Sequence, residues 1–113
     1  MTDTHVYKLL SQADWAAAEA SGITAVPLDV ADGYVHLSGI ATVSETARLY
    51  YSDQAIVHLL EFAVADLPTL RWEPSRGGTL FPHLFGDLHI AVACRQWQLS
   101  RDADGAPKMP EDL

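Results

Sequence analysis

The chain has a single cysteine, Cys94, in 113 residues. No intrachain disulfide can form, and a cysteine-rich zinc site is excluded. Basic residues are also scarce: seven Lys and Arg stand against fifteen Asp and Glu, for a formal net charge of −8. That balance disfavours nucleic acid and anionic lipid as partners, because both need a basic footprint to displace counterions. It leaves room for a local basic pocket, since Arg71 and Arg76 flank Glu73 while much of the acid is peripheral. No apolar run is long enough to span a bilayer, so no membrane attachment is expected. Met1-Thr2-Asp3-Thr4-His5 lacks the basic region and long apolar core of a signal peptide, which makes the cytoplasm the expected compartment. There is no internal repeat and no glycine-rich phosphate loop; Gly77-Gly78 is a lone pair that reads as a hairpin or loop turn.

What is present is enough apolar material for one core. With 49% hydrophobic residues, 1–101 reads as a single globular domain and 102–113, with Pro107, Pro110 and many charges, as a loosely held acidic tail. Val6 to Leu10 reads as a first strand. Ser11 caps a helix through Asp14 to Glu19, which Gly22 stops. Ile23 to Leu28 is ambiguous, apolar but interrupted by Pro27, and leads through a turn at Asp32-Gly33 into a short strand. Thr42-Val43-Ser44-Glu45 has the form of a capping box opening a helix to Tyr51. Ile56 to Ala63 suits a central strand covered on both faces, Leu70 to Trp72 a short strand, and Leu88 to Cys94 another buried one. Cys94 is then an inert core residue. The sum is a mixed α+β domain without repeated βαβ winding.

The most informative stretch is Asp32-Gly33-Tyr34-Val35-His36-Leu37-Ser38. Strand alternation puts Tyr34, His36 and Ser38 on one face and Val35 and Leu37 on the other. Such a histidine either lines a ligand site or is a hydrogen-bonded structural residue. A second polar, turn-rich stretch runs from Leu70 through Arg71, Trp72, Glu73 and Arg76 to Gly78, and Phe81-Pro82-His83-Leu84-Phe85 follows. The two stretches are expected to form the walls of one pocket. For Glu73 the competing reading is an ion pair with Arg71 or Arg76 at a sheet edge, for His83 a bond to loop backbone, and for Lys8 a snorkelling strand-edge residue. His36, Glu73 and His83 are metal-ligand types, but their spacing fits no metal motif and no metal is expected. His5, His58 and His89 fall on expected strands without companions, which points to structural roles.

The order of these segments, from Val6-Tyr7-Lys8-Leu9 through the two histidine motifs, resembles a family of small bacterial proteins classed as a domain of unknown function. That family's fold is similar to the ADP-ribosyltransferases. The resemblance implies split, strongly bent antiparallel sheets with flanking helices and a cleft for NAD. It further implies His36 and Glu73 as catalytic residues and His36, Ser38, Lys8 and Tyr34 as residues that hold NAD or an ADP-ribose-like ligand, to which Arg76 and His83 are added as side chains able to donate to a phosphate or carboxamide. No His-Tyr-Glu triad of the transferases can be assigned in its usual order and spacing, so the resemblance leaves turnover open. The alternative it carries is a non-catalytic module of the same fold that binds a small metabolite or a protein.

Overall fold

The computed structural model describes residues 3–113. Its elements run β1 (His5–Ser11), α1 (Gln12–Ser21), α2 (Pro27–Asp32), β2 (Val35–His36), α3 (Val43–Tyr50), β3 (Ile56–Ala63), β4 (Leu70–Pro74), β5 (Leu80–Leu84) and β6 (Arg95–Ser100). They form two three-stranded antiparallel sheets, ordered β1-β3-β6 and β2-β5-β4. The chain is therefore a mixed α+β protein, and Ile56–Ala63 is the central strand of the first sheet, as its near-continuous apolar pattern predicts.

Alternation along β1 and β3 sorts their side chains into two cores. Val6, Leu10, Leu60 and Phe62 face one way and pack with Val35, Leu37, Leu84 and Leu88, so this core joins the two sheets. Tyr7, Leu9, Val57 and Leu59 face the other way and pack with Val43 and Ala47 of α3 and with Leu99. The sheets touch through backbone at one rung. Tyr7 and Ser38 exchange two N–H···O bonds of 2.8 Å each, after which β1 and β2 diverge.

The helix boundaries follow local chemistry. Ser11 accepts from the Asp14 N–H at 3.1 Å, and Gly22 closes α1 in the left-handed region at φ 84°. The ambiguous Ile23 to Leu28 segment resolves into the entry of α2: Pro27 opens the helix, where its missing N–H costs nothing. Asp32-Gly33 is the end of this helix and not a free turn, since Gly33 is its left-handed cap at φ 81°. The expected capping box at Thr42 does not form. Thr42 makes no cap bond to α3, and its hydroxyl donates back to the Gly39 carbonyl at 3.4 Å.

Two strand expectations fail as well. Leu88 to Cys94 is a loop with one 3-10 turn at Ile90–Val92; Leu88 alone is fully buried in it, and Cys94 is exposed. The last strand is instead Arg95–Ser100, whose alternating polar residues suit an edge. Residues 102–113, expected as a loosely held tail, make defined contacts: Lys108 N–H donates to the Ser100 carbonyl at 2.8 Å, Ala106 is buried, and Met109 and Leu113 pack on the α3 core.

Buried on the α3 side, Glu61 is the hub of a polar network. Arg95 grips its two carboxylate oxygens at 2.8 Å each and the Tyr7 hydroxyl donates at 2.8 Å. The Arg95 bonds pull the Glu61 carboxyl down to about 2 against the opposing effect of burial, with Tyr7 and Cys94 helping. Burial, followed by Glu61 itself, pushes the Tyr7 phenol up to about 12. A carboxyl whose folded value lies below its unfolded value, about 4.3, contributes stability above that value and loses it as pH falls through the folded one. Urea unfolding is therefore expected to show a loss of stability between about pH 4 and 2 that Glu61→Gln flattens. Equal pH slopes in the two proteins over that window would remove Glu61 as the source.

Candidate functional site

The divergence of β1 and β2 beyond the Tyr7–Ser38 rung opens a cleft of about 550 Å³. Its lining brings together Lys8, His36, Ser38, Arg76 and His83 of the sequence-expected residues. Glu73 and Tyr34 are not among the lining residues.

Lys8 is not a snorkelling edge residue. Its side chain is 4% exposed, and its Nζ donates to Asp29 Oδ2 at 2.7 Å and to the His36 carbonyl at 2.8 Å. The ammonium thus crosses from β1 to β2 where no backbone bond does. Burial pushes the Lys8 ammonium below the ordinary lysine range, and Asp29 opposes that shift. Asp29 reaches the gap because α2 starts at Pro27 and puts it in the first turn, with its side chain turned inward. Its second oxygen accepts from the His36 backbone N–H at 3.1 Å and contacts His36 Nδ1 at 2.6 Å.

His36 is held on both sides. Asp29 sits on Nδ1, and Asp32 Oδ2 lies 3.0 Å from Nε2. Its register partner on β5 is His83, so the two imidazoles share a face, edge to face with centroids 5.5 Å apart. Tyr34 lies on that face too, stacked on His83 at 4.2 Å and tilted against His36 at 4.7 Å. This agrees with the alternation expected of the Tyr34-His36 segment. Phe85 completes the cluster at 5.4 Å from Tyr34, with the Arg71 guanidinium 5.8 Å over its ring.

Glu73 does not line the cleft. It lies on β4, opposite Phe81 and diagonal to His83, and its Oε1 is 2.8 Å from His83 Nδ1. The partner of Glu73 is therefore His83 and neither arginine, and the partner of His83 is a side chain and not loop backbone. Arg76 stands free of Glu73 and stacks over Phe81 at 5.0 Å and Tyr50 at 5.9 Å, with Thr46 Oγ1 3.3 Å from its Nη1.

Sequence reasoning missed Asp29, Asp14 and the tyrosines of α3. Asp14 lies in the first turn of α1 and lines the cleft, as do Tyr50 and Tyr51. Tyr51 donates to the Leu9 carbonyl at 3.1 Å, and burial first, then the Asp29 and Asp14 charges, push its phenol up to about 12. The signal for Asp29 was legible as a proline two residues ahead of an acid and a glycine four beyond it, a short capped helix.

Residues 9–95 match the family model described as Protein of unknown function (DUF952). The chain belongs to the DUF952 family. The match takes in Asp29, His36, Glu73, Arg76 and His83 and begins one residue after Lys8. Among solved structures, the crystal structure of protein CC0527 from Caulobacter crescentus is similar at 42% identity and a TM-score of 0.87, over 93% of this chain and 94% of that one. The solution structure of CC0527 is similar at 40% identity and a TM-score of 0.83, over 96% of each chain. No curated protein matches. The DUF952 fold thus recurs in a relative, and the chemistry of the cleft has to be argued from its residues.

Proposed function

We propose that the cleft binds an ADP-ribose-bearing ligand such as NAD, and that the two sheets form an ADP-ribosyltransferase-like split. One observation carries the reading. A cleft of about 550 Å³ between two antiparallel sheets is lined both by a His36–His83 imidazole pair and by Arg76, which is seated over Phe81, two positions before His83 on β5. The volume falls within the range of small-molecule sites, roughly 300–1,000 Å³. Arg76 directs two of its nitrogens at Thr46, and its remaining N–H groups are available to a pyrophosphate, which a guanidinium can grip bidentately. The aromatic and imidazole faces suit the flat rings of a nucleotide.

A second reading, a non-catalytic module of the same fold, is favoured by the placement of Glu73. The carboxylate that the transferase resemblance assigns to the transition state is turned to His83 and away from the cleft.

Calorimetric titration with NAD and with ADP-ribose, with released nicotinamide followed in the same samples, separates these readings. Saturable binding of both with release supports a transferase cleft, binding without release supports the module, and no binding of either removes the nucleotide reading. Arg76→Ala is expected to weaken ADP-ribose binding roughly ten- to a hundredfold, which corresponds to about 1.5–3 kcal/mol for a charge-assisted hydrogen bond. An unchanged affinity would place the phosphates elsewhere.

A further inference from the structure

We propose that His83 is the proton-accepting group of the cleft and that Glu73 is its positioning residue, a role that rests on the reading of the cleft as an NAD site. The His83 side chain is 4% exposed, yet the residue lines the cleft. Nδ1 is committed to Glu73 at 2.8 Å, the one side-chain hydrogen bond of His83 among the described residues, which leaves Nε2 free of a protein partner there. An ionised carboxylate only accepts, so whenever the ring is neutral the bond to Glu73 puts its proton on Nδ1 and leaves a lone pair on Nε2. Stacking against Tyr34 at 4.2 Å fixes the ring plane. The ring therefore presents one basic nitrogen in one orientation.

The imidazole and the ammonium nearest to it are already engaged. His36 has a carboxylate on each nitrogen, and the Lys8 ammonium bonds Asp29 and the His36 carbonyl. Glu73 sits behind the ring, where it can compensate the charge that His83 gains.

In the step, the oxygen of an acceptor hydroxyl, or of water, bonds to the anomeric carbon of the nicotinamide ribose. Its proton passes to His83 Nε2. The bond from that carbon to the nicotinamide nitrogen breaks with its electron pair on nitrogen, so nicotinamide leaves neutral, and His83 returns the proton to solvent. No oxidant or further reactant is needed. General-base action of this kind contributes roughly 10²- to 10⁴-fold in rate.

Two measurements test the assignment. Nitrogen NMR of the wild-type imidazoles is expected to show His83 as the tautomer protonated on Nδ1, and Glu73→Ala to shift it toward protonation on Nε2. A wild-type His83 protonated on Nε2 overturns the proposal whatever the ligand. With water as acceptor and NAD at saturation, His83→Gln is expected to lose roughly 10²- to 10⁴-fold in the rate of nicotinamide release. Glu73→Ala is expected to lower release without lowering ADP-ribose affinity. Release by His83→Gln at the wild-type rate, or NAD bound by wild type with no release, overturns the proton-transfer role and leaves the binding reading standing. If wild type binds neither ligand, the NAD reading itself falls, and this step with it.

Discussion

Asp29→Ala is expected to lower the free energy of unfolding by about 3–5 kcal/mol, the usual cost of removing one partner of a buried ion pair. Lys8 and Asp29 are 4% and 6% exposed at the side chain and 2.7 Å apart, so the ammonium left behind would be a buried charge without its carboxylate. The change also removes the acceptor of the His36 backbone N–H and the contact to His36 Nδ1. Replacing both partners, Lys8→Met with Asp29→Leu, is expected to recover part of that loss, because it removes the unpaired ammonium but leaves the His36 backbone N–H and carbonyl without their side-chain partners. Urea unfolding of the single and double variants decides the matter. A single-variant loss under about 1 kcal/mol would show that the pair is solvated in practice.

Phe62→Ala is expected to cost a comparable 3–5 kcal/mol. Phe62 is fully buried on the central strand of the first sheet and packs in the core that also holds Val35 and Leu84 of the second. The lost transfer energy is joined by that of a cavity that the surrounding strands cannot collapse around. Because this core joins the sheets, the variant is expected to weaken whatever ligand the cleft takes, although Phe62 is not among the cleft-lining residues. Unfolding in urea and titration with ADP-ribose test the two halves of this expectation. A stability loss near 1 kcal/mol would mean that the site repacks.

Parts of the fold were legible because local and tertiary demands agree in them. Ser11 and Gly22 bound α1 by capping chemistry alone, and Ile56–Ala63 is apolar on both faces because both cores need it. The Leu88 to Cys94 run misled because apolar composition does not distinguish a strand from a loop pinned by one buried leucine. Strand β5 was hidden by Pro82, a residue that argues against a central strand. It is accommodated because β2 ends at His36: the Pro82 carbonyl receives the Leu37 N–H at 3.1 Å, and the chain then leaves to meet Tyr7. Of the site, Lys8, His36, Ser38, Arg76 and His83 were readable as polar groups placed in or beside apolar strands. Their pairings were not, because Lys8–Asp29 and His83–Glu73 depend on where α2 and β4 come to rest.

Among the described residues one backbone rung, Tyr7–Ser38, ties the two sheets and forms the fixed apex of the cleft. Beyond that point the Lys8 crossing and the shared core hold the two walls at their spacing. The width of the opening is then set in part by residues outside its lining, Phe62 among them.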